Sequence, residues 1–294
     1  MPSLDDLKKR IKSVKSTQKI TKAMKMVAAA KLRKAQENAE KGRPYSQKMQ
    51  NIIFNLTKTI SDPQNAPKLL VGTGKDKINL CVVLTADRGL CGGFNSNICK
   101  LAKVSFKKIL SEGKELKIIT VGTKGLDQIK REYGKYIIKK FSFKNKKQIT
   151  FSEAEIIGKE IIDLFKKDQF DKCILFFNNF KNVITQIPQA QQIIPAENNS
   201  SIKEKEEKDH IFYEFEPEED EILEDLLPKN ISTQVFKAFL ENAASEQGSR
   251  MTAMDNATRN AGELVDKLTI NYNRSRQASI TKELIEIISG AESL

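Results

Sequence analysis

Tryptophan is absent from the 294 residues, histidine occurs once, as His210, and proline only eight times. With one histidine there is no Ser/His/Asp or Cys/His set for nucleophilic catalysis, and no convergent carboxylates fall on expected strand ends. Four cysteines, Cys81, Cys91, Cys99 and Cys173, form no CxxC and do not cluster with His210, so no metal site has ligands. They are expected to be reduced, structural thiols, as in a cytosolic or matrix-like compartment. No apolar run reaches membrane-spanning length. The chain begins a helix almost at once, with neither a signal peptide nor an Arg/Ser-rich transit segment. No catalytic residue, no metal and no cofactor is therefore expected.

A phosphate loop is also missing. The turn Gly89-Leu-Cys-Gly-Gly-Phe-Asn95 sits between an expected strand and helix, where a dinucleotide fold holds its pyrophosphate. Its spacing is GxxGG, not GxGxxG or GxxxxGK[ST], and no acidic residue ends the second strand to hold a ribose. Tight-turn packing is the better reading. A nucleotide-dependent enzyme on this domain is correspondingly disfavoured.

What the sequence has instead is helix. Lys229 to Leu294 contains no proline, and small or apolar residues recur every three or four positions: Phe236, Leu240, Ala243, Met251, Met254, Ala261, Val265, Leu268, Tyr272, Leu284, Ile285 and Ile288. Unbroken, such a helix would span about 100 Å at 1.5 Å per residue. It must project from any domain of this size and needs a second helix along its stripe. The other end of the chain offers one. Ser3 is the expected N-cap, with Asp5 and Asp6 at the positive end of the helix dipole. Leu4, Leu7, Ile11 and Val14 start a seam that blurs at Gln18 and Thr21 and resumes through Met24, Val27, Ala28, Leu32 and Ala35. Met24 and Met26 are expected to pack in the core. Gly42 and Pro44 mark a break or kink, and helical character returns from Met49 to Ile60, ending at Asp62-Pro63. Pro63 to Asp76 reads as a linker.

The middle of the chain follows another pattern. Short apolar strands (Ile78–Leu84, Leu116–Val121, Tyr136–Ile138, Cys173–Phe177) alternate with helices (Asn95–Leu110, Lys124–Tyr133, Phe151–Lys167), and Val183–Ile194 completes a hairpin. Ile98, Leu101, Val104 and Ile109, and later Ile156, Ile157, Ile161, Ile162 and Phe165, are the expected inward faces. This alternation implies a largely parallel sheet in an α/β layer. A polar, mobile loop is expected over Asn198–Asp209, an edge strand over Ile211–Phe215, and a short helix over Glu218–Leu227 cut off by Pro228. The fold class is thus α/β: a long coiled coil of the terminal helices plus a central Rossmann-like domain. Its divisions are 1–62, an N-terminal coiled-coil helix; 63–216, an α/β domain with an acidic loop at 197–210; and 217–294, a C-terminal coiled-coil helix.

The formal net charge is +12. The basicity concentrates at the start, where Lys8, Lys9, Lys12, Lys15, Lys19, Lys22 and Lys25 line one helix, while Glu197–Asp225 is acidic. Alone, such a run is a solvated face or a nucleic-acid surface. Nucleic-acid binding by a basic coiled coil is the alternative function, but it leaves the C-terminal stripe unexplained and lacks interleaved aromatics. In the last helix, Glu241 to Ala261 combines small residues with amides, hydroxyls and charges. It reads as a thin coiled coil or a slim shaft with an exposed polar face.

The run Ile11-Lys-Ser-Val-Lys-Ser-Thr-Gln-Lys-Ile-Thr-Lys-Ala-Met-Lys-Met-Val-Ala-Ala-Ala-Lys31, the turn Asp87-Arg-Gly-Leu-Cys-Gly-Gly-Phe-Asn95, and Leu240-Glu-Asn-Ala-Ala-Ser-Glu-Gln247 with Arg250-Met-Thr-Ala-Met254 resemble the gamma-subunit family of F-type ATP synthases. The resemblance covers essentially the whole chain. It implies an antiparallel coiled coil of the two terminal helices, standing as the central-stalk rotor inside a hexamer of three alpha and three beta subunits. The α/β domain would be a foot resting with the epsilon subunit on the membrane c-ring. The subunit itself would be non-catalytic, binding no nucleic acid and meeting the membrane only through the c-ring. It would lie on the cytoplasmic face of a bacterial inner membrane. By the same resemblance Met24, Lys25, Gln247, Arg250 and Thr252 would face the hexamer, and Arg88, Gly89, Cys91, Gly92, Gly93, Phe94 and Asn95 would belong to the epsilon and c-ring contact. Lys25 stands where the family often has an acidic or neutral residue. The paired cysteines of chloroplast forms are absent, so thiol control is not expected.

Overall fold

A computed structural model describes residues 3–59, 67–146, 149–195 and 219–292. The loop expected over Asn198–Asp209, the strand over Ile211–Phe215 and His210 lie outside these residues. The chain divides into two compact units, Met1–Ala30 with Arg250–Leu294, and Lys31–Ser249.

Two helices belong to both. Helix α1, Leu4–Thr59, starts where the sequence places its cap: the Asp6 N–H donates to Ser3 Oγ at 3.1 Å. The expected break at Gly42–Pro44 does not occur; α1 carries Pro44 in its interior. A proline in a helix interior costs about 3 kcal/mol, so packing must hold the helix together there. Gly42 allows that packing, because a Cβ there would come within 2.7 Å of Leu240 Cδ1. Helix α6, Glu219–Glu292, likewise runs through Pro228 rather than stopping at it. Leu223 and Leu227 ahead of the proline are buried with Met49, Ile53 and Leu70, which fixes that first turn independently of the missing N–H. Leu70 belongs to a four-residue helix, α2 (Lys68–Val71), inside the expected linker.

Between them the α/β pattern is as the sequence implies. The elements are β1 Ile78–Leu84, α3 Phe94–Ser111, β2 Glu115–Val121, α4 Thr123–Tyr133, β3 Ile137–Phe141, α5 Phe151–Lys166, β4 Lys172–Phe180 and β5 Gln186–Ile194. The sheet order is β3-β2-β1-β4-β5, parallel throughout except for the β4–β5 hairpin. Side chains alternate across it with period two. Leu80, Val82 and Leu84 join α5 and the Ile231–Phe239 part of α6 on one face; Cys81 and Val83 join α3 and α4 on the other. Burial on both faces is why β1 reads as a continuous apolar run. Val104 and Ile156, expected inward, are instead 61% and 52% exposed, since each helix has only one covered face. The four thiols are free and buried, and burial raises those of Cys81 and Cys173 far out of reach and that of Cys99 to about 11.

Helix α5 begins with a capping box. The Thr150 N–H and hydroxyl both donate to Glu153 Oε2, and Lys146 Nζ lies 3.0 Å from Oε1. Those donors hold the Glu153 carboxyl down to about 2. A carboxyl depressed in the folded state contributes stability that is complete above its unfolded value of about 4.3 and lost as the pH falls through the folded value. Glu153→Gln should therefore lower the melting temperature at neutral pH and flatten the loss of stability between roughly pH 5 and pH 2. Melts of the full chain across that range check this; a variant with the same acid profile as the parent contradicts it.

Candidate functional site

The glycine-rich turn is closed on itself. Asn95, one residue into α3, accepts the Ala86 N–H at its Oδ1 (2.9 Å) and donates from Nδ2 to Cys91 Sγ (3.2 Å). Ser249 Oγ donates to the Cys91 carbonyl at 2.7 Å, and Asn178 Nδ2 to the Phe94 carbonyl at 3.3 Å. Asp87, just before the turn, accepts the backbone N–H groups of Thr123 and Phe143 and the Ser142 hydroxyl. Cys91, Phe94 and Asn95 are buried, whereas Arg88 and Leu90 are exposed, Leu90 by 65%. Gly92 takes φ +55° and Leu90 φ +60°, so the tip passes twice through left-handed backbone. Gly122, opposite, is more constrained: at φ +95° a Cβ would lie 2.3 Å from the Thr85 carbonyl oxygen. The turn is a tightly packed knuckle that presents Arg88 and Leu90 to solvent.

A doubly wound sheet takes ligands in the crevice at the carboxyl ends of its strands, where the strand order reverses. Here that point lies between β1 and β4, and α6 occupies it. Asn242 Nδ2 donates to the Leu84 carbonyl at the end of β1 (3.0 Å), and its Oδ1 accepts the Asn178 N–H of β4 (2.8 Å). Ser245 Oγ donates to the Asn178 carbonyl, and Glu241 Oε2 accepts the Phe180 N–H at 3.0 Å. Glu241, Asn242 and Ser245 are at most 5% exposed. The expectation of an exposed polar face fails at these three residues, because the sheet's last carbonyls and N–H groups need partners that an apolar helix could not supply. Their polarity and small-residue neighbours were visible; the face they occupy was not. Among the described residues no group of three His, Cys, Asp or Glu is placed to hold a metal ion.

The other unit contains the antiparallel seam. Gln18 faces Gly262, Thr21 faces Thr258 and Lys25 meets Asp255, so numbers fall along α6 as they rise along α1. Leu4, Leu7, Ile11, Val14, Gln18, Thr21, Lys25 and Ala28 keep a three–four spacing on α1. Met254, Thr258, Ala261, Val265, Leu268 and Tyr272 keep it on α6; all are buried or half-buried. The apparent blur at Gln18 and Thr21 is thus a polar layer inside the seam. The Thr21 and Thr258 hydroxyls lie 2.8 Å apart, each also within bonding distance of a carbonyl of its own helix. Val27 and Met26 fall off the seam, 55% and 60% exposed, beside Ile20 at 58%. Met24 is half-buried, and Lys25 Nζ sits 2.7 Å from Asp255 Oδ1 with both side chains about two-fifths exposed. That contact lowers the Asp255 carboxyl. Arg250 is buried, Thr252 half-buried. Gln247, in the unit Lys31–Ser249, is half-buried. Four of the five expected hexamer-facing residues, Met24, Lys25, Arg250 and Thr252, belong to the seam unit.

The register also runs out. Leu4 is the first residue of α1, and continuing the observed pairing carries it to the neighbourhood of Ser275. Beyond it, Ile280, Leu284, Ile285, Ile287 and Ile288 are 50–71% exposed, although the sequence stripe placed Leu284, Ile285 and Ile288 inward. They lack a covering helix because α1 has ended.

Asn242→Ala would leave the Leu84 carbonyl and the Asn178 N–H buried without partners, at about 1–3 kcal/mol each. Urea unfolding of the full chain should show a loss of about 2–4 kcal/mol; a loss within the noise of surface substitutions would mean that α6 does not hold the crevice closed.

The chain matches a family model described as ATP synthase over residues 3–294. It is 72% identical to the ATP synthase gamma chain of Pelagibacter ubique (strain HTCC1062) and 56% identical to that of Rhizobium etli (strain CIAT 652), each over the full length of both chains. Among solved structures it is similar to a chain of the Tetrahymena thermophila mitochondrial ATP synthase central stalk and c-ring, with 27% identity and TM-score 0.59, over 81% of this chain and 99% of that one. The fold is shared with a chain of the Euglena gracilis mitochondrial ATP synthase, at 19% identity and TM-score 0.66, covering 99% and 94%. A buried α6 that fills the place of a ligand, a seam of heptad spacing and full-length identity of this order lead to one conclusion: the chain belongs to the ATP synthase gamma-chain family.

Proposed function

We propose that this chain is the central-stalk rotor of an F-type ATP synthase, coupling proton-driven rotation of a c-ring to ATP synthesis and hydrolysis in a hexamer of three alpha and three beta subunits. It contributes no catalytic group itself. The observation that carries this reading is the exposed apolar end of α6: five large aliphatic residues from Ile280 to Ile288, at least half exposed, on a stretch that α1 cannot cover. Patches of this kind mark a surface that another protein covers. In the rotor reading the hexamer's inner wall supplies the cover. In the same reading the half-exposed Ile20, Met26 and Val27, with the lysine rows beside them, meet the beta subunits, and Met24, Lys25, Gln247, Arg250 and Thr252 carry coupling contacts. The knuckle Arg88–Asn95 with its exposed Arg88 and Leu90 is the contact for epsilon and the c-ring. The divisions 1–62 and 217–294 as coiled coil and 63–216 as foot belong to this reading.

The mechanism is one of symmetry. One asymmetric element turning in a threefold ring meets each catalytic subunit with a different face, so each favours a different conformation. Coupling is then a differential contact energy and is reciprocal: shaft angle biases nucleotide affinity, and nucleotide biases shaft angle. In this reading attachment to the membrane passes through the c-ring; no described helix is long and apolar enough to cross one. The location is the cytoplasmic face of a bacterial inner membrane.

Native mass spectrometry of the complex captured by a tagged copy tests the assembly. One copy of this chain with three each of two nucleotide-binding subunits is expected; the chain alone, or bound to nucleic acid, sinks the reading. A second test separates folding from assembly. Because Ile285 and Ile287 are 57% and 71% exposed, changing both to Gln should leave the melting temperature of the full chain within the effect of ordinary surface changes, about 0.5 kcal/mol. It should nevertheless reduce the yield of assembled hexamer. An equal yield would show that the apolar end needs no cover.

A further inference from the structure

Within the unit Lys31–Ser249, both long helices and the sheet meet at one group of side chains. Arg43 of α1 donates from Nε to Glu241 Oε1 (2.7 Å) and from Nη2 to Glu241 Oε2 (3.0 Å), a two-pronged fork on a carboxylate of α6. The same Nη2 also donates to the Phe180 carbonyl at the end of β4 (3.0 Å), while the Phe180 N–H donates to Glu241 Oε2 (3.0 Å). The Glu241 side chain is 3% exposed. Three elements are thus closed into one ring of charge-assisted hydrogen bonds. One residue on, Asn242 fixes the same turn of α6 to β1 and β4.

Further back along α6 the contact is largely apolar, with Ile231, Val235 and Phe239 packed against β1 and α5. Apolar contact is non-directional: it holds two surfaces together but resists a twist of one on the other only weakly. A bidentate guanidinium–carboxylate pair has a fixed plane and loses its bonds when rotated. The fork is therefore suited to fixing the angle between sheet and helices, a requirement that folding alone does not impose.

We propose that Arg43 and Glu241 are positioning residues for rotary coupling: their fork, shared with Phe180, is the joint that keeps the α/β domain from slipping in angle on α1 and α6 when the rotor is under load. This inference rests on the rotor reading given above. It assigns coupling to two residues that grip one another within this chain.

The test uses the assembled, membrane-bound complex carrying R43K or E241Q. R43K keeps the positive charge but not the planar fork that reaches two acceptors at once. E241Q keeps an oxygen for the Phe180 N–H but removes the charge that grips Arg43. Both avoid leaving a buried carboxylate without its cation, which would unfold the site. ATP hydrolysis and ATP-driven proton pumping are measured on the same vesicles. The parent complex must pump first; if it does not, the rotor reading itself fails, before any variant is compared. With a pumping parent and normal subunit content, hydrolysis in the variants should stay within about twofold of the parent, and the proton gradient sustained per ATP hydrolysed should fall at least threefold in R43K. A parental ratio in both variants overturns the proposal. Failure of both variants to assemble also overturns it, by assigning the fork to folding alone.

Discussion

A sheet that ends in unpaired carbonyls and N–H groups must find partners for them, and in this chain the partner is a helix. Asn242, Ser245 and Glu241 give the carboxyl ends of β1 and β4 what they need. Most of what is distinctive here follows from that. The crevice that would receive a ligand in a doubly wound fold is filled. The α6 side chains that look like an exposed polar face are buried. Small residues surround them because only a thin helix can approach the strand ends closely enough to bond them.

The second constraint is the seam between α1 and α6. Two helices with only aliphatic residues along the seam could pair in several registers. The Thr21–Thr258 hydroxyl contact, with Gln18 packed beside Gly262, places a polar layer that satisfies itself in one register only. That register in turn decides where α1 stops covering α6, and so which apolar residues remain for another protein. The exposed isoleucines near the end of α6 follow from where α1 begins and from the register together.

Proline and glycine misled where tertiary packing overruled them. Pro44 and Pro228 signal helix ends by their missing N–H and bulky ring. Both lie inside helices, because Leu240 against Gly42, and Leu223 and Leu227 against Met49 and Ile53, hold the flanking turns in place. Conversely, Val27 and Met26 carry the right chemistry for a core and sit outside it, since the heptad spacing passes through Lys25 and Ala28 instead. A three–four pattern read over a few residues admits either choice; only the position of the other helix selects one.

The α/β alternation, the strands to within a few residues and the helical character of both ends could be read from the chain alone, because hydrophobic period and turn chemistry are local; the family was carried by its motifs. The sequence also determined that the glycine turn is no phosphate cradle, since its spacing fits none. Only the tertiary structure decided that Arg43, Glu241 and Phe180, far apart in the chain, form one hydrogen-bonded group, that Lys25 pairs with Asp255, and that α6 rather than a ligand closes the crevice. The physical reason is that polar partners separated by up to 237 positions have no periodicity to betray them: a buried carboxylate and a solvated one are written with the same letter.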